Sequence, residues 1–256
     1  MSPGAPFLLV QLSDPHVRED DAEPERMLAD AVRRVAAMDP APGAVLLTGD
    51  LTEHGYAHEY ARVREALAPL DMPLHVLGGN HDDRDAMRAA FPPAEEGDGD
   101  YRYVTRCGPL RLVVADTTDP GRIEGRLGDE RLAWIDARLG EDRETPTVLA
   151  MHHPPLHIGI PAWDAIGLPA ADHGALGEIL ARHPQVVRVV AGHVHRVAFG
   201  TSGGRPVFTC PSTWVQGLLD FGRPDELDLV HEPPAYAVHA VTAGAITTHV
   251  QSVAEG

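Results

Sequence analysis

Only two of the 256 residues are cysteine, Cys107 and Cys210. That is too few for a disulfide framework in a chain of this length, and the pair stands too far apart for a Cys-x-x-Cys metal or redox motif. Both therefore read as buried, reduced thiols. Long apolar runs are missing as well. No window approaches 18 apolar residues, which excludes a transmembrane helix and leaves no reason to expect a membrane partner. The opening segment MSPGAPFLLVQLSD lacks the basic flank of a signal peptide and its apolar stretch is strand-sized, so the expected location is cytoplasmic. Basic residues are scarce against acidic ones, 21 Lys and Arg to 38 Asp and Glu, a net charge of −17. A nucleic-acid polymer is not the expected partner, because displacing its counterions takes a basic face. A small phosphate-bearing substrate stays open if something other than side chains supplies positive charge at the site. Metal ions would do so.

What the chain has in quantity is histidine, 15 residues, more than ordinary core and surface use accounts for. Hydrophobic content of 43% with 23% charged residues is that of a globular protein with enough chain for a sizeable core. No internal repeat or low-complexity linker divides it, so residues 1–256 are expected to form a single domain. Short apolar strands are expected over 7–12, 44–47, 74–77, 110–115, 147–151 and 186–191. Helical apolar spacing covers 24–37, 57–70, 129–139 and 175–181, and a further helix capped by Asp82 or Asp83 holds Met87 and Ala90. Residues 94–108 read as a loop entering an outer strand. Late strands are expected over 197–200, 207–209, 235–241 and 245–250, with a turn at 202–204. Strands alternating with helices indicate an α/β fold, buried sheets with helices on their faces. The apolar segment 156–168 fits a cleft wall, a subunit contact or core equally well. The loop-like region 216–236 is a candidate for covering a cleft or for a contact in a homodimer or higher homo-oligomer.

Five of these strands end in Asp, Asn or His. The residues are Asp14 and His16, Asp50, Asn80 with His81, His152 with His153, and His193 with His195. Ligands of open α/β sheets lie beyond the carboxyl ends of the strands, where neighbouring loops converge, so residues spread over the chain can meet in one place. Carboxylates, an amide oxygen and imidazoles together suit borderline first-row ions, and the set is too large for one tetrahedral ion. Taken singly, Asp14 and Asp50 would read as turn residues, Asn80 as a left-handed turn after two glycines, and His81 as a structural imidazole.

Together, Asp14-x-His16, Gly49-Asp50, Gly79-Asn80-His81-Asp82, His152-x-Pro154 and Gly192-His193-x-His195 resemble the five blocks of the calcineurin-like metallophosphoesterases, in that family's order. The words GDLTEHG, GNHDDRDAMRAAF, MHHPPLHIGI and CPSTWVQ are similar to the class III cyclic-nucleotide phosphodiesterases and to glycerophosphodiesterases. The resemblance spans residues 7–215. It implies a four-layer αββα sandwich of mixed sheets with a dinuclear metal site at the strand C-termini. It further implies one ion held by Asp14, His16 and His195, a second by Asn80, His152 and His193, and both bridged by Asp50 and a hydroxide. The ions would be Mn²⁺, Fe²⁺ or Fe³⁺, or Zn²⁺. His81, not a ligand in the family, would be catalytic, serving a phosphoryl oxygen or protonating the leaving alkoxide. His-x-Pro spacing selects His152 over His153.

The expected activity is hydrolysis of small phosphodiesters, either 3′,5′-cyclic nucleotides or glycerophosphodiesters, by a metal-activated bridging hydroxide. A broad-specificity phosphomonoesterase is the alternative, because the metals attack phosphorus while peripheral loops choose the ester. A metal-binding scaffold without catalysis would be expected to lose a ligand or the His81 position, and the full set is present. The remaining histidines are expected at the surface or at helix ends, and Asp116 is expected to be structural.

Overall fold

The computed structural model describes residues 5–93, 99–223, 226–242 and 245–253. In chain order the elements are β1 (Phe7–Leu12), α1 (Glu23–Ala36), β2 (Ala44–Thr48), α2 (Ala57–Leu67), β3 (Leu74–Leu77), α3 (Arg84–Ala90), β4 (Tyr103–Cys107), β5 (Leu110–Val114), α4 (Gly128–Gly140), β6 (Thr147–Ala150), α5 (Pro161–Ala165), α6 (Ala170–Arg182), β7 (Val186–Ala191), β8 (Ala198–Ser202), β9 (Arg205–Thr209), β10 (Gln216–Gly217), β11 (Leu229–Val230), β12 (Ala235–Thr242) and β13 (Ala245–Ser252). Two large sheets result. One runs β13-β12-β1-β2-β3, the other β4-β5-β6-β7-β9-β8, and β10 pairs with β11 in a small hairpin. β1, β2 and β3 are parallel, as are β5, β6, β7 and β9, while β4, β8, β12 and β13 add antiparallel edges.

The central strands are buried on both faces, and successive side chains alternate between two cores. On β5, Leu112 and Val114 join a core shared with Leu9, Val45 and Leu47 of the first sheet and with Leu28 and Val32 of α1. The intervening Val113 faces a second core with Leu149, Val189, Ile135 and Leu139 of α4, and Leu176 and Leu180 of α6. With period-2 side chains, one strand face meets the opposite sheet and the other meets helices. The architecture is the four-layer αββα sandwich with mixed sheets. The outer edge of β3 is closed by Tyr103, whose hydroxyl accepts from Val76 N at 3.1 Å and donates to Val76 O at 2.8 Å. That satisfies an edge that would otherwise template pairing.

Where elements differ from the sequence expectation, the causes are local. α2 stops at Leu67 and not at residue 70, because Pro69 disfavours helix in the residue before it. α6 starts at Ala170, five residues earlier than expected, through a stretch containing Gly174 that propensity disfavours. The early turn is held from outside, since the Asp172 carboxylate accepts from Leu127 N at 2.6 Å and Gly128 N at 3.2 Å. Residues 94–98 of the expected loop lie outside the described residues. The 216–236 region, read as loop, carries the β10–β11 hairpin and the start of β12. His239, expected at the surface, is fully buried in β12. Asp116 is structural as expected, accepting from Tyr101 N and Thr118 N and pairing with Arg84 at 3.0 Å.

Candidate metal centre

The loops after β1, β2, β3, β6 and β7 converge at one end of the two sheets. Backbone bonds fix the approach: Asp14 N donates to Gly49 O at 3.2 Å, His16 N to Asp50 O at 3.0 Å, and Gly192 N to His152 O at 3.0 Å. Asp14, His16, Asp50, His193 and His195 all take positive φ, between 47° and 68°. Such values are uncommon for residues with a Cβ, and they turn the chain sharply enough for side chains two apart to face the same space. Glycine is required where the loops touch. A Cβ on Gly79 would sit 2.2 Å from Asp50 Oδ1, and one on Gly192 2.2 Å from Ser13 Oγ.

All seven sequence-selected residues are brought together. Asp14, His16, Asp50 and His195 offer ligand atoms within 4.8 Å of one another, and His152, His153 and His193 form an adjoining group that could hold a metal ion. Asn80 belongs beside the second group, its Oδ1 lying 3.2 Å from His152 Nε2 and 3.1 Å from His193 Nδ1. Asp50 stands between the groups, with Oδ2 3.6 Å from His16 Nε2 and 3.3 Å from His152 Nε2, while its Oδ1 accepts from His81 N at 2.9 Å.

The outward-facing nitrogens are already engaged. His152 Nδ1 donates to Thr48 O at 2.9 Å, His195 Nδ1 to Val215 O at 3.0 Å, and His16 Nδ1 to Glu53 Oε2 at 2.9 Å. Each ring therefore turns Nε2 inward as a lone pair, the arrangement that fixes tautomer and orientation in histidine metal sites. His16 Nε2 and His195 Nε2 lie 3.0 Å apart, a contact that needs a proton or a cation between them. His193 Nε2 is buried without a partner. The donor set and its orientation thus fit divalent or trivalent metal ions.

Electrostatics of the bare cluster are strained in the way clustered ligands are. Burial, with the nearby Asp50 charge, raises the Asp14 carboxyl to about 6 against the pull of His152 and His16. Burial would raise Asp50 too, but His152, His16 and His81 hold it well below the carboxylate range. Burial would depress His152, yet Asp50 and Asp14 lift it to about 9. Burial and the neighbouring imidazoles push His195 down to about 3 and lower His193 strongly.

His153 is a packing and support residue by its contacts. Its Nδ1 accepts from Thr117 Oγ1 at 2.9 Å and its Nε2 donates to Ile123 O at 3.1 Å, so both nitrogens are in use. His81 lines the cleft over the cluster, packs edge-on to His16 at 4.7 Å and donates from Nδ1 to Glu53 O at 3.0 Å. Several supporting groups carried no separable signal in the sequence. Ser13 donates to Asp14 Oδ2 at 2.5 Å, Thr48 to Ser13 at 2.7 Å, and Gln11 to Thr48 at 2.9 Å and Ala191 O at 3.0 Å. The Asp82 carboxylate clamps three loop amides, Leu51, Thr52 and Gly79. Glu53 and Asp82 stand inside the words GDLTEHG and GNHDD, and the word itself was the available signal. Asn80 is the single asparagine of the chain.

Fold and cluster together define a class: two-sheet α/β sandwiches with an Asp, Asn and His metal site at the strand ends. The calcineurin-like phosphoesterase profile matches residues 7–197, and the chain belongs to that family. It is 29% identical to a probable glycerophosphodiester phosphodiesterase GpdQ of Arcobacter nitrofigilis, covering 96% of this chain and 93% of the relative. It is 34% identical to the 3′,5′-cyclic adenosine monophosphate phosphodiesterase CpdA of Pseudomonas aeruginosa, over 85% of this chain and 81% of that one. Among solved structures, a dimetal phosphatase from Danio rerio shares the fold with a TM-score of 0.72 at 17% identity, covering 98% of each chain.

Proposed function

We propose that the chain is a metal-dependent phosphodiesterase acting on small phosphodiesters, the 3′,5′-cyclic nucleotides or glycerophosphodiesters named for its relatives. The observation that carries this reading is the orientation of the cluster. Seven candidate ligands converge from five strand ends, and three of the four candidate imidazoles are tied from behind so that a lone pair faces inward. Asp14, His16 and His195 would hold one ion, Asn80, His152 and His193 the second, and Asp50 both. When bound, such ions supply positive charge for phosphoryl oxygens and acidify a water. The chain's own residues do the rest. Asp50, between the two groups, sets their separation. His81, with Nδ1–H held by the Glu53 carbonyl, is left with Nε2 facing the substrate, and it is the doubly protonated ring that donates from Nε2 to a phosphoryl oxygen or gives that proton to the departing alkoxide.

The test is turnover in Mn²⁺ of cyclic AMP, a glycerophosphodiester, a bis(nitrophenyl) diester and a nitrophenyl monoester. Diesters are expected to be preferred by at least about tenfold in kcat/KM. Equal rates on nitrophenyl monoester and diester would favour the broad phosphomonoesterase instead.

A further inference from the structure

One side of the cleft is unused by this chemistry. The cavity, about 280 Å³, is lined by candidate ligands of the cluster, by Arg18, Glu53 and His81, and by an apolar wall of Ile123, Trp163, Ile166, Trp214, Leu227 and Leu229. The wall is assembled from four separate segments: the loop after β5, helix α5, the loop after β9 and the β10–β11 hairpin. Ile123, Leu227 and Leu229 stay 52%, 41% and 45% exposed there, large aliphatic groups held in water beside a polar site. Folding does not need them so placed, whereas a ligand covering them gains from their burial. Trp163 is the fixed part. It stacks on His195 with centroids 5.7 Å apart and meets His193 edge-on at 5.8 Å.

Charge at the edge of the wall is spent internally. Arg18 and Glu53 pair at 3.1 Å, and the guanidinium lies over Trp214 at 4.3 Å from the ring centroid. The wall therefore offers mainly aliphatic surface and indole edges, and its one unpartnered donor among the described residues is the buried Trp214 Nε1, which suits a ring acceptor better than a polyol. On the far side of Asn80 the surface changes character, to a trough lined by Asp83, Arg84, Asp85, Thr118 and Asp119. We infer that the wall seats one organic arm of the substrate, and that this arm is flat and apolar, an aryl ring or nucleobase, in preference to a glycerol. The inference rests on the phosphodiesterase reading and narrows it.

The test holds the leaving group constant. Phenyl nitrophenyl phosphate and glyceryl nitrophenyl phosphate both release nitrophenolate, so a difference in kcat/KM reports the retained arm. With the Mn²⁺-loaded chain, the phenyl diester is expected to lead by about tenfold or more, the scale on which an apolar pocket discriminates, with the difference in KM. Leu227→Asp and Leu229→Asp should bring the ratio of the two substrates toward one, whereas Leu219→Asp, exposed but outside the cavity, should leave the ratio alone. Equal use of both diesters by the wild type, or an unchanged ratio in both wall variants, would overturn the inference. If neither diester turns over, the proposed function fails separately, and binding decides this point. Phenylphosphonate should then quench tryptophan fluorescence at about tenfold lower concentration than glycerol phosphate, and equal binding would overturn it.

Discussion

Asp14, His16, Asp50, His193 and His195 are the non-glycine residues with positive φ among those described, and all five are candidate ligands. Each such conformation costs of order 1–3 kcal/mol and persists only where surrounding bonds over-determine it. Here those bonds are the loop-to-loop amides and the Ser13, Thr48 and Asp82 contacts. Gly79→Ala tests this directly, because the added Cβ would meet Asp50 Oδ1 at 2.2 Å and Asp50 N at 2.5 Å. Metal content is expected to fall, with a stability loss of about 1–3 kcal/mol from overpacking, read by metal analysis and a thermal melt. Full metal loading in that variant would show that the close approach does not hold Asp50. His81→Ala is expected to keep both metals and lose about 10²–10⁴ in turnover of diesters with alkoxide leaving groups. A nitrophenyl diester, which leaves without a proton, should lose much less. An equal loss on both, with metals bound, would assign His81 to the phosphoryl oxygens and not to the leaving group.

At the level of strands and helices, the residues that end an apolar run were legible and the residues that support them were not. The five strands carrying motifs fall where their hydrophobic runs fall, and each run stops at the turn that bears a ligand. The pairing of β9 between β7 and β8 had no sequence signal, since any short apolar strand fits beside β7. Two-residue strands such as β10 and β11 have no periodicity to detect, and Gln11, Ser13 and Thr48 look like ordinary strand and turn polar residues. His239 departs from the surface expectation because one imidazole in an alternating strand carries no mark of which face it takes. It points inward, with Nδ1 2.8 Å from Thr248 Oγ1 and Nε2 3.1 Å from Gln11 Oε1. Burial, with Arg188 nearby, holds its pKa at about 3. The unfolded chain takes up this proton below about 6.5 while the folded chain refuses it down to about 3. Stability is therefore intact above that window and falls with acidification through it, by about 1.4 kcal/mol per pH unit for each such histidine. His239→Gln, which can still donate to Gln11, is expected to make the pH dependence of urea unfolding shallower by about one proton between pH 6 and 4. An unchanged slope would mean that His239 does not carry the acid sensitivity.

Across the whole molecule, 38 acidic residues face 21 basic ones, and every basic side chain is arginine. Arginines near the site are engaged in structure: Arg84 with Asp116 at 3.0 Å, Arg131 with Asp100 at 2.8 Å, and Arg18 with Glu53 at 3.1 Å. On the proposed function, positive charge for a phosphate would come from ions that the Asp, Asn and His cluster could hold. The most direct measurement is anomalous diffraction, with metal analysis, of the Mn²⁺-loaded chain beside its Asp50→Ala variant. Two ions are expected per chain, one against Asp14, His16 and His195 and one against Asn80, His152 and His193, and both should be lost with Asp50. A single ion at full occupancy with Asn80, His152 and His193 unliganded, or two ions retained without Asp50, would contradict the account.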